Sequence, residues 1–177
     1  MSAVVTQIET ETTTNPISRR AVALAERIEQ GAAGLADFAE TLSETEWLTP
    51  ASDTDRRAVG VIVHHVASVY PVEIEIAKAV ASGNAVTDVT WEVVAQMNAK
   101  HATDQAFVTR EATLALLRRN SCAAANAVRE FTDEQLDQAA PFSLSFGAPV
   151  TAQFVIEDHA LRHSWHHLSR IRKALGR

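Results

Sequence analysis

Residues 157–172 read EDHALRHSWHHLSRIR, and four of the chain's seven histidines fall between His159 and His167. The stretch carries helical periodicity. Phe154, Ile156, Ala160, Leu161, Trp165, Leu168, Ile171 and Leu175 gather on one arc at about 100° per residue, which predicts a helix from about Thr151 to about Leu175. His163 and His167 flank that arc four residues apart, so their rings stand one above the other on one face. His159 lies one step further out, and His166 turns further still, towards Arg162 and Lys173.

Working outward, the rest of the chain is also helical. Asn15-Pro16 is a helix start, and apolar spacing continues to about Leu42, weakened slightly by Gly31 and Gly34. Ser43-Glu44-Thr45-Glu46 has capping-box order and opens a short turn. A second helix is predicted from about Asp55 to Ser82, stopping at Gly83-Asn84. A third begins near Thr90, breaks around 101–104 and resumes to about Phe131. Thr132–Gln135 repeats the capping-box pattern, and AAPFSLSFGAPV (139–150) is irregular or strand-like. Four long helices with short connections predict an all-α, four-helix bundle over residues 16–177, preceded by a threonine-rich tail over 1–15 that is expected to be disordered.

The second helix contains adjacent histidines in VGVIVHHVASVYPVEI. On the wheel Ala58, Val61, Ile62, Val69, Val72 and Ile76 fall near His65, so His65 is expected on the apolar face. His64 points sideways, with Arg57, Ser68 and Glu75. A lone inward histidine is more often a hydrogen-bonded core residue than a ligand. His65 combined with His163 and His167 is more specific: three neutral nitrogens leave a coordination position open, the pattern of a catalytic metal site.

Composition narrows the function classes. The chain has 177 residues, 46% hydrophobic and 21% charged, enough for one globular domain with a sizeable core. A formal net charge of −6 argues against a nucleic-acid surface. No apolar run of about 18 residues stands out, so no membrane partner is expected. The N-terminus lacks the signature of a signal peptide, and the single cysteine fits a reducing cytoplasm. Cys122, within NSCAAANAV, is expected to be a buried, inert thiol.

The histidine segments resemble the DinB/YfiT-like superfamily, whose members are four-helix bundles with an H…HxxxH metal site and whose relatives include mycothiol-dependent maleylpyruvate isomerases. The resemblance spans roughly residues 17–175. It maps the first family histidine on His65 and the later pair on His163 and His167, the residues the wheel selects. Where the family often carries an acidic residue three positions after the first histidine, this chain has Ser68. His64, His159 and His166 are additional; His159 and His163 form a second i, i+4 pair, which leaves a shifted or four-histidine site open, with His64 a further candidate.

The leading expectation is therefore a divalent-metal enzyme acting on a small molecule. Zinc, nickel, manganese or iron would be held by His65, His163 and His167, for hydrolysis or for thiol-dependent transfer or isomerisation. The thiol, of the mycothiol or bacillithiol kind, is implied by the resemblance alone, and a homodimer is common in the family. The rival expectations are a non-catalytic metal- or small-molecule-binding stress-response module, and a purely structural histidine cluster. No general base stands out: His159 and His64 are candidates by proximity, and Glu157 and Asp158 read as surface charges. Tyr70, Trp91, Phe142 and Phe146 read as core or loop contacts before pocket residues. His101 reads as a surface or helix-end residue, and Arg172 and Lys173 complement a helix C-terminus.

Overall fold

The computed structural model describes residues 17–52 and 54–177. The predicted helix start at Asn15-Pro16 and the tail over 1–15 lie outside them. Helix α1 (Arg19–Glu40) is capped by Ser18, whose side chain accepts from the amide of Ala21. The short α2 (Glu44–Leu48) follows, with its capping box formed as the sequence predicts. Helix α3 spans Val59–Ala81, later than the predicted start, because residues 54–58 are not helical and Ala58 forms a bridge with Pro50. It stops where predicted, with Gly83 at φ +75°, a left-handed position that suits glycine.

The third helical stretch divides into α4 (Trp91–Asp104) and α5 (Arg110–Arg129), so the break falls a few residues after the predicted one. The second capping box opens α6 (Asp133–Asp137). The segment 139–150 belongs to a hairpin of β1 (Ala139–Pro141) and β2 (Pro149–Thr151). The last helix has three parts: α7 (Ala152–Val155), a π-helical segment (Ile156–Leu161) and α8 (Arg162–Leu175).

The four long members of the bundle are α1, α3, α5 and the composite last helix. Helix α5 packs against both α1 and α3, and the last helix packs against both as well. Contact between α1 and α8 is close at Gly31: a Cβ there would lie 2.6 Å from the Trp165 indole nitrogen, so this glycine is a packing requirement. Cys122 is exposed, contrary to expectation, because Ser121 and Ala125 take the inward positions on α5.

Helix α3 is apolar on two sides. Its core side is Val59, Val63, Val66, Tyr70 and Ile74, centred about 140° round the helix from His65. The side centred on His65, which the wheel assigns to the core, carries half-buried Val69 and Ile76 and exposed Val72. That side faces a cavity. Two apolar faces also make α3 long and apolar enough, by length and composition, to cross a membrane, with a mean hydropathy of 1.3 over its best window. In the bundle 61% of that window is buried.

Pro71 lies inside α3 and cannot donate to the carbonyl of Ala67. Asn120 of α5 replaces the missing donor, its Nδ2 donating to Ala67 O at 2.8 Å. Replacing Asn120 with leucine strands that carbonyl and should lower the unfolding free energy by about 1–3 kcal/mol in urea titrations. An unchanged midpoint would show that water satisfies the group instead.

Candidate metal centre

Two helices supply the imidazoles. His65 comes from the middle of α3, and His163 and His167 from the first turns of α8. One nitrogen from each lies within 4.8 Å of the others, a spacing at which three donors can share one ion. The His163 and His167 rings stack with centroids 4.9 Å apart, as the i, i+4 spacing requires, and His65 meets both edge-on.

His65 and His167 are buried, and His163 is half-buried. Burial, reinforced by the neighbouring His163, pushes the His65 imidazole down from 6.5 to about 3 and His167 to about 2. Both are thus neutral near pH 7, the form that offers a lone pair to a metal. The Nδ1 of His167 is buried without a hydrogen-bond partner.

Glu73 completes the arrangement. It is only 7% exposed, and its Oε1 accepts from His163 Nδ1 at 2.6 Å. That bond fixes the His163 tautomer and leaves Nε2 free for ligation, as a carboxylate behind a metal-ligating histidine does elsewhere. Its Oε2 is buried without a partner. Glu73 is not among the candidates that helical spacing and the histidine pattern select. The signal was an acidic residue between Val72 and Ile74, eight positions after His65 and hence about 80° round the helix, at the boundary between the two apolar faces.

His64 and His159 lie outside the three-nitrogen group. His64 Nδ1 is 2.9 Å from His101 Nε2, and the His101 ring centroid lies 5.5 Å from that of His65. His101 is thus in the last turn of α4 yet reaches the site, which its sequence context did not reveal. His159 lies in the π-helical segment, whose wide turn breaks the i, i+4 relation to His163 that a uniform α-helix would give. Its ring stands edge-on to Phe142 and lines the cavity beside the imidazoles. Exposed His166 reaches the cavity mouth. Tyr70 and Phe142 are core residues, Trp91 borders the cavity and Phe146 is 92% exposed. The Tyr70 hydroxyl is 2.7 Å from Ser164 Oγ, tying α3 to α8 beside His163.

The cavity above the imidazoles has a volume of about 460 Å³, within the range of small-molecule sites. Its floor is His65, His163, His167 and Glu73, and Asp158 stands at the mouth.

The sequence matches the DinB superfamily over residues 27–171. The chain belongs to that superfamily. Among solved structures it is similar to YfiT from Bacillus subtilis, described as a probable metal-dependent hydrolase with an unusual four-helix bundle topology. The TM-score is 0.70 at 18% identity, over 96% of this chain and 91% of that one. The likeness shows a shared bundle fold. No curated protein sequence matches the chain significantly.

Two outcomes follow from the buried imidazoles and their carboxylate. In the unfolded chain both histidines titrate near 6.5, whereas the folded chain resists protonation to about 3 or below. Above 6.5 neither state takes up a proton and stability is complete. As pH falls from there towards 3, the unfolded chain gains protons that the folded chain refuses, so stability falls. The melting temperature of metal-free protein should therefore drop steadily between about pH 6.5 and pH 4; a flat profile would contradict burial of neutral rings. Glu73→Gln should weaken zinc affinity by about 10–100-fold in a chelator competition while the fold is kept.

Proposed function

We propose that this DinB-superfamily chain is a divalent-metal-dependent enzyme that carries out hydrolysis on a small molecule. The observation carrying this reading is the convergence of three imidazole nitrogens within 4.8 Å on the floor of an open cavity, two of them on residues kept neutral by burial. The donor set fits the group: three nitrogens and no thiolate suit zinc or nickel, with manganese and iron as weaker matches. A bound ion would act as a Lewis acid and lower the pKa of a water that it holds.

The protein's own groups have distinct tasks in this reading. His65, His163 and His167 hold the ion, and Glu73 orients His163 through Nδ1. The unpartnered Glu73 Oε2 is suited to accept a proton at the cavity floor. His159, beside the floor, is a second proton carrier. A thiol co-substrate, of the mycothiol or bacillithiol kind, takes its support from family resemblance. The unpartnered carboxylate oxygen favours hydrolysis ahead of it.

Elemental analysis of untagged protein tests the reading. Wild type should hold about one transition-metal ion per chain, and His65→Ala and His163→Ala should each lose it. Metal-free wild type after reconstitution with zinc, nickel or manganese would defeat the proposal and leave a structural histidine cluster. Metal retained without turnover across ester, amide and thiol-transfer substrates would favour the non-catalytic binding module.

A further inference from the structure

The cavity has a second character, away from the imidazoles. Helix α4 contributes no buried residue, yet Trp91, Val94 and Met97 line the cavity, with Trp91 58% and Met97 51% exposed. Facing them across the cavity, α3 presents Val69, Val72 and Ile76. These side chains form an apolar wall in which Val69, Ile76 and Val94 are half-buried and Val72, Trp91 and Met97 are exposed, and apolar residues exposed in a concave site suit an apolar ligand group.

The mouth is different. Arg57, Arg162 and Arg170 border it. Asp55 is engaged by Arg57 through both carboxylate oxygens, at 2.9 and 2.7 Å. Arg170 comes no nearer than 3.7 Å to that same carboxylate and, among the described residues, makes no hydrogen bond. Arg162 uses only its Nε, donating to the Asp158 carbonyl at 3.1 Å and lying 3.2 Å from its carboxylate. Its two terminal nitrogens therefore have no acceptor among the described residues. Arg170 continues the stripe of His163 and His167 one turn further along α8, so its guanidinium overhangs the same opening. Unused guanidinium donors at a cavity mouth match the paired oxygens of a carboxylate.

We propose that the ligand of this pocket is an organic carboxylate with an apolar arm, its carboxylate held by Arg162 and Arg170 and its arm laid between α3 and α4. This inference rests on the preceding reading for the reaction but not for the binding. The net charge of −6 gives the protein no long-range attraction for anions, so the recognition is local.

Calorimetric titration with octanoate, octan-1-ol and acetate, on wild type with and without added zinc, tests the proposal. Octanoate should bind at least about tenfold more tightly than either other probe, since only it satisfies both subsites. The double variant Arg162→Gln/Arg170→Gln, both positions at the surface, should lose about tenfold or more for octanoate and leave octan-1-ol unchanged. Met97→Glu should weaken octanoate and octan-1-ol together. Equal binding of octanoate and octan-1-ol would overturn the anion subsite. Equal binding of acetate and octanoate would overturn the apolar subsite, and an unaffected double variant would overturn the anion subsite by showing that the arginines do not hold the carboxylate. Arginine-dependent octanoate binding by His65→Ala protein would uphold the ligand assignment even if no metal binds. Loss of octanoate binding in protein that retains zinc would defeat the ligand assignment and leave the metal reading intact.

Discussion

Keeping imidazoles unprotonated inside a helical bundle is the constraint on which the rest of this structure depends. A buried ring must be neutral, and a neutral ring needs either a hydrogen-bond partner or a ligand for its nitrogens. The two buried rings are His65 and His167, and the Nδ1 of His167 has no partner; half-buried His163 is oriented by the Glu73 carboxylate. The bundle meets the constraint by placing α3 where it faces both the core and the cavity. One apolar side of α3 fills the space against α5 and the start of the last helix, and the other holds His65 among valines and isoleucine that wall the pocket.

That double role requires close control of α3. Pro71 falls between His65 and Glu73, interrupting the backbone ladder where the two functional side chains are set. Asn120 repairs the interruption from a neighbouring helix, so the geometry of the site depends partly on α5, which contributes nothing to the cavity floor. The Tyr70–Ser164 bond gives a second tie, linking the helices that carry the imidazoles. The fold and the site are stabilised by some of the same contacts.

The bundle and the three histidines were legible in the sequence because helical periodicity and an i, i+4 pair are local signals. Both capping boxes, at Ser43 and Thr132, were legible for the same reason. What was not legible depends on packing between distant segments. Val69, Val72 and Ile76 read as core because periodicity separates apolar from polar faces but cannot separate a core from a pocket wall. Cys122 read as buried for a similar reason, since alanine-rich surroundings are nearly symmetric on the wheel. His101 reaches the site only because α4 folds over it. Glu73 was hidden because Ser68 occupies the position where the family resemblance leads one to look for an acid.

The π-helical segment from Ile156 to Leu161 has a consequence for how the site can be altered. A wide turn accommodates one residue more than the α-helical path over the same length. Residues before it, such as Ala152 and Val155, and residues after it, such as His163 and His167, are therefore aimed by separate geometries. Winding the segment as α-helix with all its residues kept would turn everything beyond it by about 100° relative to everything before, whereas deleting one residue would straighten the helix and leave its two ends in nearly the same relative orientation. The metal-binding face of α8 is in this sense indexed like a dial against the packed start of the same helix, and the segment is the detent that holds its present setting.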